Sequence, residues 1–84
     1  MLVTVYILYS KVIDRFYVGY TNDLERRLAE HNRMKGKYTD SGIPWNLVYS
    51  EIYSTKTQAM QREKFIKLKK SRTFIESLIS SSAG

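Results

Sequence analysis

Eighty-four residues, 43 % of them hydrophobic, with no cysteine and a formal net charge of +6, describe one small domain with a modest core. The missing thiol excludes a disulfide framework, a cysteine-rich zinc site and a thiol nucleophile. A core of this size leaves a substrate on the surface and not in a deep cavity. The run from Met1 to Tyr9 is apolar but lacks a basic n-region and a small-residue cleavage site, and it is far short of a membrane span. It reads as a buried first strand in a soluble, cytoplasmic protein.

Residues 3–10 are rich in β-branched and aromatic side chains, and so is Phe16-Tyr17-Val18-Gly19-Tyr20 beyond the polar link Lys11 to Asp14. The two runs form a hairpin. With a four-residue connection Ser10 faces Arg15 and Tyr6 faces Gly19, which puts Tyr6, Gly19 and Tyr17 on one side, the tyrosines as diagonal neighbours. Asn22 then opens a helix, with Glu25 completing a capping box and Asp23 near its positive end, running to about Lys35 before Gly36. On it Leu24, Leu28 and His31 make one stripe, Arg27 flanks the stripe and Arg26 points away.

Lys37 to Pro44 is a loop, and Trp45 to Tyr53 reads as a third strand. Thr55 with Gln58 is a second capping pattern, starting a helix to about Lys70 whose inner face carries Ala59, Met60, Glu63 and Ile66. Phe74, Ile75, Leu78 and Ile79 repeat at helical spacing, giving a last helix before a flexible tail from Ser80 to Gly84. The order β-β-α-β-α-α is an α+β layer sandwich: a three-stranded, mostly antiparallel sheet flanked by helices, one domain over residues 1–79.

The positive charge is concentrated. Lys56, Arg62, Lys64, Lys67, Lys69, Lys70 and Arg72 stand against the single acid Glu63 in residues 56 to 72, which hold the whole excess. Such a stripe is the footprint of a polyanion binder, although a solvated helix face is the commoner fate of such runs. Glu63 suits two roles: a surface ion pair with Lys67 one turn away, or the single carboxylate that holds a hard dication together with waters and a substrate phosphate. Tyr6 and Tyr17 suit half-buried strand aromatics with wetted hydroxyls. Taken with Arg27, they also suit phosphodiester chemistry, since a phenol can handle a water proton and a guanidinium can grip phosphate with two bonds.

Thr4-Val5-Tyr6, Tyr17-Val18-Gly19, Arg27 eight residues beyond Gly19, His31 one turn further and Glu63 on a later helix resemble, in order and spacing, the GIY-YIG nuclease family. Lys37-Tyr38-Thr39 ahead of Trp45 and the run Arg62-Glu63-Lys64 make the small stand-alone bacterial branch the nearest likeness. The resemblance implies that Tyr6 and Tyr17 flank an attacking water, Arg27 contacts the scissile phosphate, His31 occupies a position often held by histidine, and Glu63 binds one Mg2+ or Mn2+. It departs from the family in two places: the first motif reads Thr-Val-Tyr in place of Gly-Ile-Tyr, and the family's late asparagine has no counterpart, the last asparagine here being Asn46.

The expectation is therefore a metal-dependent endonuclease acting on DNA, with RNA left open. Its catalytic set is Tyr6, Tyr17, Arg27 and His31, and Gly19 lets backbone and phosphate approach. Glu63 is the metal ligand, and Lys64, Lys67, Lys69, Lys70 and Arg72 track the nucleic acid. Neither a membrane nor a small-molecule cofactor is expected as a partner, and the chain is expected to be a monomer. With no further domain in these residues, cleavage should follow DNA structure more than sequence. The alternative is a nucleic-acid-binding module that kept the scaffold and lost activity. A third reading makes Trp45 and the last helix a protein-docking surface.

Overall fold

The structure, a computed structural model, describes residues 2–34, 36 and 38–83. Its elements run β1 (Val3–Ser10), β2 (Arg15–Thr21), α1 (Leu24–His31), a 3-10 turn (Tyr38–Gly42), β3 (Trp45–Tyr53), α2 (Lys56–Lys69) and α3 (Arg72–Ala83). The three strands form one antiparallel sheet in the order β2-β1-β3. The first strand is thus the central one, covered on both faces, which is why it reads as an almost unbroken apolar run.

The hairpin register is the expected one: Ser10 opposes Arg15 and Tyr6 opposes Gly19. Alternation along β1 then sorts the core into two layers. Val3, Val5 and Ile7 pack with Val18, Ala59 and Ile66 beneath α2 and α3. Tyr6, Leu8 and Trp45 pack with Leu24 and Leu28 beneath α1. Trp45 is only 4 % exposed, so the expected docking role for it gives way to a core role. The β1–β3 register shifts between Ile7 and Leu8, leaving an irregularity at Val48.

Helix ends differ from expectation in ways that have local causes. The N-cap of α1 is Asp23, not Asn22: its carboxylate accepts the amide of Arg26 at 3.1 Å, while Thr21 Oγ1 accepts the amide of Asp23 at 3.0 Å. Either residue can cap, and the carboxylate adds a charge at the positive helix end. The helix stops at His31 and not near Lys35, a residue that with Lys37 lies outside the described residues. Asn32 ends it by holding the Trp45 backbone at two points, donating to its carbonyl at 3.0 Å and accepting its amide at 2.6 Å.

Thr55 caps α2 as expected, accepting the Gln58 amide at 3.2 Å. Lys70 follows the helix in the left-handed conformation, φ 46° and ψ 38°. Ser71 Oγ accepts the Phe74 amide at 3.1 Å and so starts α3. That helix continues through Ala83, past the point where a tail was expected from Ser80. Met60, placed by periodicity on the inner face of α2, is 45 % exposed. Among the described residues no helix is long and apolar enough to cross a membrane.

Candidate active site

Tyr6 is fixed by its place on the central strand and is 2 % exposed. Its ring lies across Gly19: a Cβ at that position would sit 2.6 Å from the phenol oxygen and 2.7 Å from Cζ. Gly19, expected to admit phosphate, therefore gives its open face to the phenol. Tyr17, two residues earlier on β2, stacks on Tyr6 with centroids 6.4 Å apart and planes at 22°. His31, at the end of α1, meets both rings edge-on, 4.5 Å from the Tyr17 centroid and 6.2 Å from that of Tyr6. The Tyr6 hydroxyl and His31 Nε2 are 3.4 Å apart, the direction of the bond depending on the imidazole tautomer.

Charge converges on the same phenol. Burial first, then the neighbouring Tyr17, push the Tyr6 hydroxyl up to about 12, with Glu63 and Glu30 adding to the rise and Arg27 opposing it. Glu63 belongs to α2, which packs on the other face of the sheet. Tyr17 and His31 thus meet the phenol directly, while Arg27, Glu30 and Glu63 act on it through their charge.

Two of these residues have further partners. Arg27 reaches Glu30 at 3.8 Å, and Arg26 reaches the same carboxylate at 4.0 Å. The expected opposition of the two arginines is therefore incomplete, since both also border a small notch of about 70 Å3 with Thr21 and Asp23. Arg27 alone turns into a larger cavity of about 410 Å3 beside Tyr20 and Thr55. Glu63 pairs with Lys67 at 3.4 Å.

Of the basic stripe, Arg62 and Arg72 are already engaged. Arg62 grips Glu51 with two bonds of 2.9 and 3.0 Å, and Glu51 also accepts the hydroxyls of Tyr53, at 2.6 Å, and Tyr49. Arg72 holds the Asp14 carboxylate at 2.5 and 3.1 Å. Lys69 stands over the rings of Phe65 and Phe74, 4.8 and 5.5 Å from their centroids. Glu30 and Glu51 were not singled out from sequence. Only Glu30's spacing after Arg26 and Arg27 on one helix pointed to it; the Glu51 cluster joins two elements and has no local signal.

A dication is the group this family implies, and Glu63 is where the residues fit one. Among the described residues there is no group of three or more His, Asp or Glu side chains able to hold a metal. A single, mostly buried carboxylate matches Mg2+ in particular, which keeps several waters and takes remaining ligands from a substrate phosphate.

This fold and this order of residues are those of the GIY-YIG catalytic domain: the family model matches residues 2–75, and the chain belongs to that family. It is 46 % identical over 56 residues to a UPF0213 protein of Streptococcus pneumoniae, covering 66 % of this chain and 57 % of that one. To a UPF0213 protein of Bacillus licheniformis it is 52 % identical over 52 residues, 61 % of this chain and 54 % of the other. The matched part thus spans little more than half the length of these relatives. The solution structure of a UPF0213 protein from Bacillus halodurans superposes with a TM-score of 0.63 at 39 % identity, covering 100 % of this chain and 88 % of that one.

Proposed function

We propose that the chain is an endonuclease that hydrolyses phosphodiester bonds in DNA, directed by DNA structure more than by sequence. The observation that carries this reading is the packing of Tyr17 and His31 against the buried Tyr6 phenol, on whose proton Arg27 and Glu63 act in opposite senses. A hydroxyl pushed up to about 12 keeps its proton at neutral pH, so Tyr6 is not a resting phenolate base. It works as a relay. The phenol oxygen takes a proton from the attacking water while its own proton passes to His31 Nε2, the side chain type suited to receive one near neutral pH. The water oxygen then bonds to phosphorus and the bond to the leaving oxygen breaks, that oxygen keeping the bonding pair and taking a proton from solvent, with Tyr17 flanking the water.

Arg27, half-exposed beside its cavity, neutralises charge as it builds on the phosphate oxygens. Glu63 would hold Mg2+ or Mn2+, whose chemistry when bound is Lewis-acid charge at a phosphate oxygen. Lys67 competes for the same carboxylate, and this pair is the observation on the side of the second reading, an inactive nucleic-acid-binding module.

The test is incubation of the purified chain with branched, nicked and linear DNA, with and without Mn2+. Cleavage of the branched substrate that needs the ion is expected. Binding without cleavage on any of the three would replace the nuclease by the binding module.

A further inference from the structure

Helix α2 is apolar on both of its sides. The inner side is closed, with Ala59 and Ile66 at 0 and 1 % exposure in the core cluster beneath the helix. Yet Met60, Phe65 and Leu68 face outward, the first two 45 % exposed and the last 66 %. At about 100° per residue the outward side reads, in angular order, Met60, Lys64, Leu68, Phe65 and Lys69, all within half the circumference. Two ammonium groups thus bracket Leu68 and Phe65.

Single exposed apolar residues are ordinary on a folded protein, but several on adjoining turns with charge among them mark a contact surface. Here the charge has one sign. Glu63 is the only acid of α2 and pairs with Lys67, while Lys64 and Lys69 make no ion pair among the described residues. Phe74 of α3 extends the patch, meeting Phe65 edge-on with centroids 6.0 Å apart. Lys69 Nζ stands over both rings and the Arg62 guanidinium lies 5.4 Å from the Phe65 centroid, so Lys69 is held at the rim of the apolar area. Arg62 is already committed to Glu51.

We propose that the outward face of α2 docks an acidic, apolar segment of another protein, its carboxylates on Lys64 and Lys69 and its aliphatic or aromatic side chains on Leu68, Phe65 and Met60. Charge complementarity sets the sign, since a second copy of this chain, at a net charge of +6, would meet repulsion there. The apolar residues set the class of partner. A phosphate backbone matches the lysines but offers nothing apolar to Leu68 and Met60, and neither has a ring on which a base could stack. Binding to a membrane surface scales with apolar area, and these side chains supply little of it. An acidic segment that also carries apolar residues meets both demands. The core layer beneath α2 is the one opposite Tyr6, so a partner docked on this face leaves Tyr6 and His31 open, and the inference stands apart from the nuclease reading.

The experiment is titration of short synthetic peptides into the isotopically labelled full chain, read by NMR shifts and by calorimetry. The probe repeats Asp-Asp-Leu-Phe; one control replaces its apolar residues by serine, and a second replaces its aspartates by asparagine. The probe should bind and shift the amides of Lys64, Phe65 and Leu68, and each control should bind at least ten-fold more weakly. Leu68→Ser and Lys64→Gln, both at exposed positions, should each weaken the probe five-fold or more and hold the melting temperature. Lys11→Gln, which removes an exposed cation from the hairpin turn, should change it less than two-fold.

Equal binding of the serine peptide would reduce the face to a site for any polyanion, and no binding of the probe at millimolar concentration would remove the partner. Unchanged affinity in Leu68→Ser would take the apolar contact away from α2. Each of these overturns the proposal. So would stronger shifts at the same amides from an oligothymidylate or from phosphatidylserine vesicles, which would give the face to nucleic acid or to a membrane.

Discussion

The Tyr6 phenol occupies the space that a side chain at position 19 would need: a Cβ on Gly19 would lie 2.6 Å from the Tyr6 hydroxyl oxygen. The glycine of the second motif is therefore the complement of the tyrosine of the first, across one pair of the β1–β2 ladder. A methyl group there must move the phenol off Tyr17 and His31 or push the strands apart.

Gly19→Ala should accordingly lose both stability and the site. Overpacking a closed contact costs about 1–3 kcal/mol, readable as a lower urea midpoint, and His31 resonances should shift as the ring leaves. Tyr6→Phe is the matched control, keeping the ring and the fold while removing the relay oxygen. An alanine variant with wild-type stability and an undisturbed His31 would show that the ring was never seated on the glycine.

Alkaline pH supplies a second test. The hydroxyls of Tyr6 and Tyr53 are both pushed up to about 12, the first by burial and then Tyr17, the second by burial and its bond to Glu51. Each holds its proton more tightly folded than unfolded, so the stabilisation is complete below about pH 10 and is lost as pH rises from about 10 through about 12. Thermal melts through this window should fall steeply. Replacing both tyrosines by phenylalanine should flatten the fall; a slope equal to the wild type would mean that neither hydroxyl is shifted.

Glu51 and Arg62 should behave as a pair. Burial alone would raise the Glu51 carboxyl, but the Arg62 fork and the hydroxyls of Tyr49 and Tyr53 outweigh it and hold the group below its usual range. The stabilisation is present above the ordinary carboxylate pKa and is lost as pH falls through the depressed one. Arg62→Ala leaves a mostly buried carboxylate without its charged donor and should cost roughly 1–3 kcal/mol, checked by urea unfolding near neutral pH. Retention of wild-type stability in both Arg62→Ala and Glu51→Gln would reduce the cluster to a surface decoration.

These relationships divide by sequence distance, which explains what could be read in advance. The strands were legible because β-branched and aromatic runs flank a polar four-residue link, and that link alone fixes the register that stacks Tyr6 on Tyr17. Adjacent capping residues blur a helix start: Asn22 with Glu25 and Asp23 with Arg26 both have capping spacing, and only the folded chain shows the Asp23 carboxylate taking the Arg26 amide. The end of α1 was hidden because Asn32 stops it by gripping Trp45, in another element. The same holds for Arg72, which looked like one more cation of the stripe until the fold set it against Asp14. Residues singled out for chemistry stood out because their types are uncommon together, whereas the pairing of Arg62 with Glu51 exists only once α2 packs on β3.

Glu63 offers the sharpest remaining test, because its two partners predict opposite responses. Its ion pair with Lys67, half-exposed at 51 %, is the kind worth well under about 1 kcal/mol, so Glu63→Gln should leave the melting temperature nearly unchanged. If the carboxylate also holds a dication, Mn2+ titrated into the wild type should broaden NMR signals around residue 63, and the Gln variant should lose both broadening and ion-dependent nicking. Lys67→Met removes the competing ammonium, so in it the same broadening should saturate at lower Mn2+. Broadening that persists in Glu63→Gln, or that never occurs in the wild type, would take the metal away from this position; failure of Lys67→Met to tighten the ion would show that ammonium and dication do not share the carboxylate.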